Sequence, residues 1–125
     1  PEDFPFRPSL VVADLSFISL EIVLPAMHAT ATPEAEFLLM VKPQFEVGRE
    51  SVGDGVIRDP QLRAGAVRKV ASRAAALGLS TRGVVASPLP GPSGNVEFFL
   101  WLSAVEAAAD TLESMIDRAI EEGPQ

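Results

Sequence analysis

The sequence predicts an α/β domain: a sheet flanked by helices and ending in an antiparallel hairpin. Three observations point to it. Two short, almost wholly apolar runs, Ser9–Ala13 (SLVVA) and Glu36–Val41 (EFLLMV), each stop at a charged residue. That is the pattern of strands buried on both faces of a parallel sheet. Segments of helical period lie between and after these runs. A turn-rich connection, SPLPGPSGN over Ser87–Asn95, joins the last two apolar runs, and so short a link makes them antiparallel neighbours.

Each element carries its own signals. The first strand leads straight into Asp14. From Ser19 to about Ala29, Ile22, Val23, Ala26 and Met27 recur at helical spacing, with Ser19 as N-cap and Pro25 as an expected kink. The second strand ends at Lys42-Pro43, where proline stops ladder pairing. Gln44 to Arg58 is polar and holds Gly48, Gly53 and Gly55, which reads as a long exposed loop of the kind that is often functional. Asp59-Pro60 opens the next helix and Gly78 closes it. Its apolar face is Leu62, Ala66, Val67, Val70, Ala74 and Leu77, and the row Arg63, Arg68, Lys69 and Arg73 reads as a solvated surface rather than a phosphate contact. Thr81–Ala86 is the third strand and VEFFLWL the fourth. Ser103-Ala-Val-Glu106 reads as a capping box, with Val105, Ala109, Leu112, Met115, Ile116 and Ala119 on one face of a terminal helix.

Composition narrows the functions. With 125 residues, 47% of them hydrophobic, the chain can build one domain with a core but not two. There is no cysteine and only one histidine, His28, which excludes a disulfide framework and a cysteine- or histidine-based metal site. The longest strongly apolar stretch, around Phe37–Val41, is far shorter than the ~20 residues of a membrane span, so the chain reads as soluble with no membrane partner. A net charge of -7 argues against holding a polyanion by bulk electrostatics. Gly53-Asp54-Gly55 lacks the spacing and the lysine of a phosphate loop. No signal peptide is visible and the sequence begins at Pro1, which reads as an excerpt or a processed product.

In open α/β sheets, ligands bind beyond the carboxyl ends of the strands. Asp14 and Lys42 stand there, each after an apolar run, and a lone buried charge is costly, so each must be paired or placed in a cleft. Glu97, two residues after Asn95, stands in an otherwise apolar run where a carboxylate belongs only on an edge or facing a partner. One reading is an inert ion pair between Lys42 and one of the carboxylates. The other is chemistry, because a lysine flanked by carboxylates can orient an alcohol and take its proton. Spacing alone leaves both open. His28, in mid-helix, builds no Ser/His/Asp set.

The stretches LVVADLSFISL, LLMVKPQFEVGRE, GVIRDPQLR and ASPLPGPSGNVEFFLWL resemble the later motifs of the TlyA family, also called hemolysin-A-like proteins: ribosomal RNA 2'-O-methyltransferases related to the FtsJ/RrmJ group. The similarity runs over nearly the whole chain. It implies a partial class I (Rossmann-like) S-adenosylmethionine-dependent methyltransferase sheet, with these strands as the fourth to seventh of seven. Residues 1-125 would then be the C-terminal half of an FtsJ-like domain. The resemblance also implies a catalytic set of Asp14, Lys42 and Glu97, three members of a Lys-Asp-Lys-Glu tetrad, with Lys42 activating a ribose 2'-hydroxyl and the two carboxylates holding and tuning it. Asp14, Leu15, Ser16 and Phe17 would border the methyl donor. Gln44, Arg49, Ser93 and Asn95 are assigned to the RNA, the partner being ribosomal RNA or a ribosomal subunit in the cytoplasm.

Other parts of the family pattern have no counterpart here. These are the glycine-rich turn after the first strand, the acidic residue that grips the donor's ribose, the first tetrad lysine and the N-terminal S4-type RNA-binding domain. The chain alone is therefore expected to be inactive and to bind S-adenosylmethionine weakly or not at all. The alternative is a non-catalytic structural or docking module. A membrane-active hemolysin has no span behind it, and the polar face of the terminal helix is mostly acidic where membrane-surface helices favour basic residues. Without a preceding half, Leu10–Ala13 would be an exposed apolar edge, and such edges recruit partners. The expectation is a homodimer through that edge.

Overall fold

The computed structural model describes residues 7–15, 18–47, 56–89, 91, 94–105 and 112–123. The elements in chain order are β1 (Leu10–Ala13), α1 (Leu20–Thr30), β2 (Glu36–Val41), α2 (Pro43–Glu46), α3 (Pro60–Ala76), β3 (Ser80–Ala86), β4 (Phe98–Ser103) and α4 (Leu112–Glu122). The four strands form one sheet in the order β1-β2-β4-β3. β1 runs parallel to β2, with Leu10 opposite Glu36 and Ala13 opposite Leu39. β4 returns antiparallel between β2 and β3, so Phe98 lies opposite both Val41 and Ala86. The expected α/β sheet with its antiparallel hairpin is what forms.

Alternation along the strands decides which face is covered. Phe37, Leu39 and Val41 of β2 and Phe98, Leu100 and Leu102 of β4 are buried, and fully burying side chains of this size contributes roughly 1.5–3 kcal/mol each. α3 packs on β2, β3 and β4, α4 packs on β3 and on α3, and α1 and α2 pack on α3. The residues between point the other way. Leu10, Val12, Leu38, Val85 and Trp101 are 37% to 66% exposed. Across this open face Trp101 donates its indole N–H to Glu36 Oε1 at 2.9 Å, and the Arg82 guanidinium sits 5.2 Å from its ring centre, within cation–π range.

Several local expectations change. In α1 the N-cap is Ser19, whose side chain accepts from the Glu21 N–H, and Pro25 lies inside a helix that continues to Thr30. The buried positions, however, are Leu20 and Leu24, while Ile22 is 69% exposed. An i, i+4 stripe starting one turn earlier faces α3. The supposed loop after Lys42 begins as the helical turn α2, with Pro43 at its start, and Ile57 at its far end is buried. Ser103 is the last residue of β4, and its Oγ accepts the Val105 N–H at 3.3 Å. Val105 is exposed, whereas Met115, Ile116 and Ala119 are buried as expected; Glu106 and Ala109 lie outside the described residues.

The basic row on α3 is a solvated surface only in part: Arg68 and Arg73 are exposed, whereas Arg63 is buried and Lys69 half-buried. Arg63 is buried and its Nε donates to the Ile57 carbonyl at 3.0 Å. Burial pushes this guanidinium below its ordinary pKa. Arg68 makes two hydrogen bonds of 2.7 Å to the Glu113 carboxylate, which holds that carboxyl below its usual range. Lys69 reaches Glu46. Arg68 and Lys69 find partners far away in sequence, at Glu113 and Glu46, which helical spacing cannot show.

Candidate active site at the strand ends

Parallel pairing in register carries the ends of β1 and β2 to the same rim of the sheet, and with them Asp14 and Lys42. Lys42 Nζ lies 2.5 Å from Asp14 Oδ1. The two partners differ in exposure: the lysine side chain is 10% exposed and the aspartate 63%, so the pair sits at an opening rather than inside the core. Lys42 is extended at φ -114° and ψ 101° and is the N-cap of α2, as a residue before proline prefers. Its carbonyl accepts the Phe45 N–H at 2.9 Å. The turn of α2 thus begins on the residue whose amine faces Asp14.

Glu97 arrives at the same rim from the other direction. It precedes β4 rather than standing inside it, and because β4 is antiparallel to β2 its start lies beside the end of β2. Its side chain is buried. The Glu97 carbonyl accepts the Ser87 N–H at 2.8 Å, and Gln44 Nε2 lies 3.5 Å from Oε2. Gly91 packs directly on the carboxylate, where a Cβ would overlap it; this is close approach that only glycine permits.

The remaining predicted site residues divide. Leu15 lies beside Asp14 and is 36% exposed. Gln44 is half-buried next to Glu97, and its Oε1 is buried with no hydrogen-bond partner among the described residues. Asn95 is buried and faces inward. Its Oδ1 accepts the Ile57 N–H at 2.8 Å and its carbonyl accepts the Gly91 N–H at 2.7 Å. This side chain ties the Ser87–Glu97 connection to the entry of α3. Ser16, Phe17, Arg49 and Ser93 lie outside the described residues. Among the described residues no three His, Cys, Asp or Glu come together as a metal site, and no helix is long and apolar enough to cross a membrane. His28 stacks loosely on Phe37, with ring centres 6.5 Å apart.

Two residues near the rim were not singled out from the sequence: Glu46, in a stretch read as loop, and Lys69, read as solvated. Only the helical turn after Pro43 brings Glu46 inward.

The FtsJ-like methyltransferase family model matches residues 2–104. The chain belongs to this family. A Mycobacterium tuberculosis protein named 16S/23S rRNA (cytidine-2'-O)-methyltransferase TlyA is 56% identical over 99% of the chain and 48% of its own length. A Bacillus subtilis relative, named as a candidate rRNA methyltransferase, is 39% identical over 98% of the chain and 45% of its own length. This FtsJ-like chain therefore spans about half the length of the curated relatives it matches. Among solved structures, a candidate hemolysin from Lactococcus lactis superposes with a TM-score of 0.85 at 39% identity, over 94% of this chain and 58% of that one.

Proposed function

We propose that this chain is the catalytic rim of a ribosomal RNA 2'-O-methyltransferase, with Lys42 as the group that activates the ribose 2'-hydroxyl. The observation that carries this reading is the Lys42–Asp14 pair of 2.5 Å at a strand-end opening, with one partner buried and the other exposed. Lys42 Nζ, the cationic partner of Asp14, orients the hydroxyl and offsets the negative charge that grows on its oxygen during attack, while the proton passes to the exposed Asp14 carboxylate, a role worth about 10²- to 10⁴-fold. Asp14 fixes the amine. Glu97 bounds the same rim, with Gln44 Nε2 3.5 Å from its Oε2.

The methyl donor of this reading is S-adenosylmethionine. When bound it supplies a methyl group on a positively charged sulfonium and leaves as a neutral thioether. The exposed Asp14 carboxylate and the partly exposed Leu15 beside it fit an edge of such a pocket, offering an acceptor and an apolar surface. Ribosomal RNA as substrate places the work in the cytoplasm. Among the described residues β1 pairs with β2 alone and shows Leu10 and Val12 to solvent, and on this reading a second copy adds at this edge. Light scattering that finds a monodisperse monomer sinks that dimer.

The test of the catalytic reading is Lys42→Ala in the full-length protein. Methylation of ribosomal RNA falls at least about 100-fold while donor affinity measured by calorimetry stays nearly unchanged. Retained activity refutes the assignment of Lys42.

A further inference from the structure

The structure assigns a positioning role to Glu46: it fixes the loop that carries Asp14 against the turn that carries Lys42. This inference rests on the catalytic reading of Lys42 given above. Glu46 is the most deeply buried carboxylate of the three described ion pairs, its side chain only 1% exposed. A buried carboxylate is costly unless its oxygens are met, and here both are. Ser19 Oγ donates to Oε1 at 2.5 Å and the Leu20 N–H donates to Oε2 at 2.8 Å. Lys69 Nζ stands 3.5 Å from Oε1 and also donates to the Glu46 carbonyl at 2.5 Å.

The connectivity turns these contacts into a brace. Ser19 and Leu20 begin α1, only a few residues after Asp14. Glu46 ends α2, the single turn that begins on Lys42. The two chain segments are therefore joined at two points, by Lys42–Asp14 at the rim and by Glu46–Ser19/Leu20 beneath it. The upper contact is weak as a fastening, because one partner is mostly exposed to water. The lower one centres on a carboxylate only 1% exposed and makes two charge-assisted hydrogen bonds. Lys69, from α3, holds the brace against the body of the domain. Removing Glu46 leaves the amine and the carboxylate present but free to drift, and a misplacement of about 1 Å in a reacting geometry is enough to lose roughly 100-fold in rate.

The experiment compares Glu46→Ala, Glu46→Gln and Lys42→Ala in the full-length enzyme, reading kcat, KM for ribosomal RNA, donor affinity by calorimetry and the melting temperature. The expected result is a 10- to 100-fold loss of kcat in Glu46→Ala, with RNA KM and donor affinity within about twofold of the parent. Glu46→Gln keeps an acceptor for the Leu20 N–H but loses the charge that meets Lys69, so it loses about three- to tenfold in kcat. Either variant retaining kcat within twofold while Lys42→Ala is inactive overturns the brace. So does a loss spread equally over kcat, RNA KM, donor affinity and melting temperature, which marks a purely structural carboxylate. If Glu46→Ala does not fold, Glu46→Gln decides by the same criteria. Activity retained by Lys42→Ala instead overturns the catalytic reading, and the positioning role with it.

Discussion

Gly91→Ala separates the fold from the site more cleanly than any change to a charged residue. A Cβ at Gly91 would stand 2.1 Å from Glu97 Oε2 and 2.5 Å from Cδ, where 3.4 Å begins ordinary contact, so the carboxylate must retreat by about 1.3 Å. The atoms it meets are the far end of a flexible side chain and not backbone, and no left-handed φ is recorded for this glycine, unlike Gly94 at +83°. The conformational term therefore opposes the clash, since glycine to alanine at a compatible backbone gains roughly 0.4–1 kcal/mol through the unfolded chain. Net stability by urea unfolding should move by less than about 1 kcal/mol. On the proposed catalytic reading the rate should respond more, because Glu97 is displaced by at least the 1 Å that costs about 100-fold in an aligned site. The expected outcome for the full-length enzyme is a 10- to 100-fold lower rate of RNA methylation with near-parental unfolding. Parental activity, or a loss of more than about 3 kcal/mol of stability, would show that the glycine serves the backbone and not the carboxylate.

Three further outcomes follow from the same geometry. Asn95→Ala leaves the buried Ile57 N–H without the acceptor it meets at 2.8 Å, and should destabilise the domain by about 1–3 kcal/mol in urea unfolding. Phe37→Ala, in a strand where this ring is buried against the helices, should lose about 3–5 kcal/mol by the same measurement. Arg68→Gln removes the partner that depresses the Glu113 carboxyl. A depressed carboxyl stabilises the fold above its unfolded pKa and stops doing so as pH falls through the folded value, so the variant's small deficit in melting temperature should be smaller at pH 3 than at pH 6. An equal deficit at both pH values contradicts the electrostatic account.

Much of this fold was legible because its strands are short apolar runs ended by charge. Asp14 and Lys42 could be placed at strand ends from Leu10–Ala13 and Glu36–Val41 alone, and Asp59-Pro60 and Gly78 marked the limits of α3 closely. The apolar faces of α3 and α4 were also readable, as their burial follows from helical period. What could not be read depends on partners distant in sequence. Arg63 and Lys69 look like surface residues until Ile57 and Glu46 are brought to them. Glu46 looks like loop because four residues carry too little periodicity to declare a helical turn. Glu97 resembled a strand residue since Val96 to Leu102 is continuous in hydrophobicity, yet pairing begins only at Phe98. Asn95, assigned to RNA by its place beside Glu97, is directed inward by the same turn that brings Gly91 onto the carboxylate.

The central position of β4 also sets an order in time. During synthesis, residues 10 to 86 offer β1, β2 and β3, but β3 then has no hydrogen-bonding neighbour, since its partner is β4. Only when Phe98–Ser103 emerges can the last strand slide between the two already made. That pairing joins residues as far apart as Glu36 and Ser103, the kind of distant contact that slows folding. Glu97 is carried in by the same insertion. The nascent chain cannot acquire its third rim residue before its sheet is closed, and until then β2 and β3 each present a bare edge to whatever is nearby.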